Sequence, residues 1–74
     1  MLKQHPVYDQ RHGGPYDRGS ADSYYRRPAE PHYYEAGTAV SRRIGESDMT
    51  AWQITEYNAG YDANEQRGDY KDYR

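Results

Sequence analysis

Seventy-four residues are enough for one small domain, and with ten Lys and Arg against twelve Asp and Glu the chain carries a net charge of −2. Leu2, Val7, Val40, Ile44 and Ile54 are its only Leu, Ile or Val residues, and it has no Phe and no Cys. That composition excludes a disulfide framework, a thiolate metal site, a cysteine nucleophile and the strong basic excess of a general nucleic-acid binder.

Ten tyrosines and Trp52 hold nearly all the large apolar area. A folded state must therefore rest on aromatic rings, each able to bury about 150–250 Å². A core of this size rarely supplies more than about 3–5 kcal/mol, so a partner, either a larger body or a second copy of the chain, is the expected source of further stability. No run is apolar enough for a signal peptide or a membrane span, so the expectation is a soluble intracellular protein with no membrane contact.

In chain order, residues 1–16 (MLKQHPVYDQRHGGPY) carry His5-Pro6 and Gly13-Gly14-Pro15, turn signals with nothing periodic between them, and read as an extended arm. Asp17, with Ser20 as an alternative, offers an N-cap for a short helix over about residues 17–27. Arg26 and Arg27 suit its negative end, and Pro28 stops it.

PAEPHYY at 28–34 reads as extended or polyproline-like, and 35–47 as a loop with a short strand or turn between Val40 and Ile44, punctuated by Gly37 and Gly45. The strongest signal is a second helix over about residues 50–67. Thr50 and Gln53 form a capping box, and Ala51, Ile54, Tyr57 and Tyr61 make a stripe. Glu56, Asn58, Asp62 and Glu65 fall mostly on the other faces. Gly60 marks a close approach of another backbone, and Gly68 is a natural terminator. The tail, 69–74, is read as flexible or as a docking segment. The expected fold is thus a single small, mainly α domain: two helices joined by a Pro/Gly-rich extended loop, with an irregular N-terminal arm.

Chemistry is sparse. His5, His12 and His32 lack ligand spacing with Asp9 or Asp17, and the serines lack a nucleophile-elbow context. Arg67-Gly68-Asp69 is explained by a helix-ending glycine between charges. Neither metal nor cofactor is expected, and the chain reads as non-catalytic.

Arginine interleaved with tyrosine carries more. The same pair is enriched at protein–protein hot spots and suits stacking on unpaired bases. In each tyrosine pair one ring should face in and one out: Tyr24, Tyr34, Trp52, Ile54, Tyr57 and Tyr61 are assigned to the core. Tyr25, Arg26, Arg27, Tyr33, Arg42 and Arg43 are assigned to a partner-contact patch, with Arg18, Arg26 and Arg27 as the residues that would meet RNA.

Two segments, RGSADSYYRRPAEPHY and AWQITEYNAGYDAN, loosely resemble the ribosome modulation factor family. PYDRGSADSYY and the GYDAN…GDYKD ending resemble short tailed-bacteriophage proteins of unknown function. The first resemblance implies two helices and a ribosomal RNA ligand; the second implies a phage-encoded protein acting in a bacterial host. Ribosome modulation factors are strongly basic, whereas this chain is net acidic, which places a larger host or viral protein ahead of RNA as the expected partner. A virion accessory role is the third expectation.

Overall fold

Two glycines set the architecture. The computed structural model describes residues 8–36 and 41–72. It contains helix α1 (Pro15–Tyr24), strand β1 (His32–Tyr34), strand β2 (Arg43–Gly45), a 3-10 turn (Glu46–Asp48) and helix α2 (Ala51–Arg67). The helices cross where each presents a glycine to the other's backbone. A Cβ on Gly19 would lie 2.0 Å from the Tyr57 carbonyl oxygen, and one on Gly60 would lie 2.0 Å from that of Tyr16. The close approach read from Gly60 is therefore real, and Gly19 is its counterpart.

Helix α1 begins two residues earlier than its sequence suggests. Pro15 takes the first helical position, where its missing N–H is no loss, and Gly14 is the N-cap. Asp17 is not the cap: it sits in the first turn and accepts from the Gly13 N–H at 2.9 Å. The helix also ends earlier, before Pro28 acts. Arg26 N–H donates to the Ser23 carbonyl and Arg27 N–H to that of Asp22, at 2.9 and 2.8 Å, which is a Schellman turn. Its left-handed position is held by Arg26, with φ 61°, rather than by glycine.

Helix α2 has the expected ends. The Thr50 hydroxyl accepts from Gln53 N–H at 3.1 Å, and the Gln53 side chain accepts from Thr50 N–H at 2.8 Å. Gly68 closes it at φ 70°. Thr50→Ala should cost about 1 kcal/mol, read as a lower midpoint in urea with an unchanged slope.

The strands pair antiparallel, His32 with Gly45, Tyr33 with Ile44 and Tyr34 with Arg43. Paired residues share a face of the sheet, so Tyr33 lies with Ile44, both buried, and Tyr34 lies with the exposed Arg43. The inward and outward assignments of this tyrosine pair are thus exchanged relative to the sequence reading. Tyr33, 8% exposed, belongs to the core rather than to a contact patch; Tyr34 is half-buried. In the first pair, Tyr24, assigned to the core, is only half-buried, and Tyr25 is exposed.

Of the apolar stripe on α2 only Tyr57 is fully buried. Glu56, Tyr57, Gly60 and Asn64 are the buried residues of the helix, while Trp52 is 49% exposed and Ile54 and Tyr61 are half-buried. Trp52 instead stacks on Tyr8, which in turn stacks on Tyr16, with ring centroids 5.2 and 5.7 Å apart. Glu56 is covered because its carboxylate accepts from Asp9 N–H at 3.0 Å. The described part of the arm is therefore fastened to the body. Gly13 C=O accepts from Tyr34 N–H at 2.7 Å, and Arg11 donates to the carbonyls of Tyr34 and Glu35 at 3.2 and 2.8 Å. His5, Gly37 and Val40 lie outside the described residues.

The tail docks through residues 69–72. Lys71 N–H donates to the Tyr24 carbonyl at 2.8 Å, Asn64 donates to the Asp69 carbonyl at 2.8 Å, and the Arg26 guanidinium sits 5.1 Å above the Tyr70 ring. Among the described residues no helix is long and apolar enough to cross a membrane.

Candidate functional site

Residues 30–34 alternate Glu30, His32, Tyr34, and an extended chain sends alternate side chains to one face. That face, with Arg43 from the partner strand, Arg18 from the middle of α1, and Asp22, Arg27 and Pro28 near its C-terminal end, encloses a cleft of about 250 Å³.

The floor of the cleft is a buried polar network. Asp22 is almost fully buried, and its carboxylate accepts from the Tyr57 hydroxyl. The same hydroxyl accepts from Glu30 N–H at 2.9 Å, so one phenol joins α1, α2 and the segment leading into β1. Burial, reinforced by the bond to Asp22, pushes the Tyr57 phenol far above its ordinary value near 10. The Arg27 guanidinium stands 3.6 Å from the other Asp22 oxygen, and His32 Nδ1 lies 3.7 Å from the first.

His32 is held in one orientation by its partners. Nδ1 faces the Glu30 carbonyl oxygen at 2.8 Å and must donate; Nε2 receives Arg18 Nε–H at 3.2 Å and must accept. A second network extends along the helix pair: Asn64 donates to Ser23 Oγ at 2.9 Å, and Ser23 donates to the Glu65 carboxylate at 2.6 Å. The described residues leave no buried side-chain polar atom without a partner.

Of the arginines singled out in the sequence, the fold brings Arg18, Arg27 and Arg43 to the cleft rim. Arg18 lies over the Tyr34 ring at 5.7 Å, and Arg27 over the Tyr25 ring at 5.1 Å. Arg43 is held by Glu30 at 3.1 Å. Arg42 is exposed and does not line the cleft. Tyr25 and Arg26 are exposed against the docked tail, where the Lys71 ammonium is 5.9 Å from the Tyr25 ring. The left-handed backbone of Arg26 costs about 1–2 kcal/mol in a non-glycine residue, and strain of this kind collects at functional positions.

Sequence reasoning did not gather Asp22, Glu30 or His32 into a site, although the period-two spacing of Glu30, His32 and Tyr34 is a signal for it. His12 meets Asp17 at 3.8 Å, away from this cleft, and no group of three or more His, Cys, Asp or Glu among the described residues is placed to hold a metal ion. No protein-family model matches the chain, and no curated protein or solved structure matches it.

Proposed function

We propose that the chain is a non-catalytic binding protein that docks on a larger protein and modulates or inhibits it. Arg18, Arg27 and Arg43 form the contact surface, with Tyr25 and Arg26 beside them. The observation that carries this reading is the convergence of three arginines, from a helix, a helix end and a strand, on one open cleft whose floor is fixed by buried hydrogen bonds. Arginine and tyrosine on a rigid frame make strong protein contacts, because little side-chain entropy remains to be lost. The resemblance to short bacteriophage proteins favours a host or viral protein as the partner and the bacterial cytoplasm as the place of action.

A second reading, binding to ribosomal or other structured RNA, draws on the two arginine–tyrosine stacks at the rim, a surface on which unpaired bases can also stack. Affinity capture from bacterial lysate with the wild-type chain and an Arg27→Ala/Arg43→Ala variant separates the two. One dominant protein should survive nuclease treatment on the wild type and be lost from the folded variant. Ribosomal proteins that disappear with nuclease would establish the RNA reading, and equal retention by the variant would remove the cleft from the interface.

A further inference from the structure

We infer that the arginine cleft is a receptor for a single carboxylate, supplied by an acidic side chain or a chain terminus of the partner; this rests on the protein-docking reading above and names the group recognised. Size is the first ground. Sites for drug-sized molecules occupy about 300–1,000 Å³. At about 250 Å³, with Pro28 and Tyr34 as apolar walls, this cleft suits one small anionic group at the end of a larger body.

Charge is the second ground. Arg18, Arg27 and Arg43 face two carboxylates, Asp22 and Glu30, which leaves one positive charge over. A carboxylate that takes the place of Glu30 preserves this balance.

The third ground is the state of the two resident carboxylates. Asp22 is buried and committed to Tyr57 and Arg27. Glu30 differs: its side chain is 72% exposed, and it already places a carboxylate oxygen 3.1 Å from Arg43. Such an exposed pair adds little stability and yields readily. Glu30 thus occupies in cis the position an incoming carboxylate takes. The Arg18 terminal nitrogens make no hydrogen bond to the described residues, while its guanidinium carbon lies 5.7 Å from the Tyr34 ring centre. The incoming group displaces Glu30 from Arg43 and bridges Arg43 to Arg18.

The test follows the arginine Nε–H resonances of the ¹⁵N-labelled full chain at constant ionic strength. Four probes are titrated: acetyl-triglycine with a free C-terminus, acetyl-Gly-Glu-Gly-amide, its glutamine counterpart, and inorganic phosphate. Saturable shifts at Arg18 and Arg43 are expected with a carboxylate peptide and not with the glutamine control. Comparing the two carboxylate peptides tells a chain terminus from an acidic side chain. Arg18→Gln, and separately the exposed Arg43→Gln, should each weaken binding about tenfold or more. Absence of saturation with both carboxylate peptides, or tighter binding of phosphate at the same arginines, would overturn the assignment. Nuclease-resistant capture lost from Arg27→Ala/Arg43→Ala could still hold in that case, so the docking reading and its carboxylate fail separately.

Discussion

Gly60→Ala is expected to unfold most of the population at 25 °C, against the usual direction for this substitution. Inside a helix, alanine is favoured over glycine by about 1 kcal/mol. Here the new Cβ would lie 2.0 Å from the Tyr16 carbonyl oxygen, and 3.1 Å from its Cα, so backbone rather than a flexible side chain must yield. The helices would have to separate, opening the contact that covers Tyr57. Overpacking costs about 3 kcal/mol or more when the obstacle is rigid, comparable to the total stability of a domain this small. Gly19→Ala should behave alike, because its Cβ meets the Tyr57 carbonyl at the same distance. Asn58→Ala, at an exposed position of the same helix, is the control and should be neutral or gain a few tenths of a kcal/mol. Thermal melts followed by circular dichroism decide the matter: a Gly60→Ala chain melting at or above the wild type would refute the crossing.

The two glycines also show what could be read in advance. The capping box at Thr50, the terminator at Gly68 and the close approach at Gly60 were each legible because a residue type answers a backbone need at its own position. The partner of Gly60 was not, since nothing local distinguishes Gly19 from a weak point in a helix. Strand parity failed for a related reason. Whether Tyr33 or Tyr34 faces inward depends on the register with Ile44 and Arg43, and slipping by one residue exchanges every side chain between faces.

The stripe on α2 misled for a different reason. Apolar periodicity assumes that the buried face is the apolar face. In a chain with so few aliphatic residues, α2 buries Glu56, Asn64, a glycine and one phenol, and satisfies the polar atoms pairwise, while Trp52 stacks on the surface with Tyr8. The cleft arginines were individually visible as residues able to bind. Their convergence was hidden, because it depends on where the Schellman turn at Arg26 directs the chain after α1 and on which face of β1 turns toward Arg18.

Tyr57→Phe should be the most damaging single substitution after the two glycine changes, although it removes one oxygen atom from a fully buried ring. That oxygen donates to Asp22 and accepts from Glu30 N–H. Without it a buried carboxylate loses its donor and a backbone N–H its acceptor, at an expected cost of about 3 kcal/mol. The Arg27 and His32 contacts to Asp22 remain, which holds the loss below that of a backbone clash. The same bond gives a pH signature. Burial first, and then the bond to Asp22, raise the folded-state value of this phenol above its unfolded value near 10. Below about pH 10 both states keep the proton, and the contribution is fully present. Above it the unfolded chain releases the proton while the folded chain retains it, so stability falls by about 1.4 kcal/mol per pH unit until the folded phenol ionises. Tyr61 and Tyr70 are also raised, burial being the leading cause in each, and they titrate in the wild type and the variant alike. The difference between the two stability–pH curves above pH 10 therefore isolates Tyr57. Wild type should lose its advantage over Tyr57→Phe progressively in that range in urea titrations at stepped pH. Parallel curves would mean that this hydroxyl does not join Asp22 to the segment that carries Glu30 and His32, and the cleft would lose the floor on which its arginines are set.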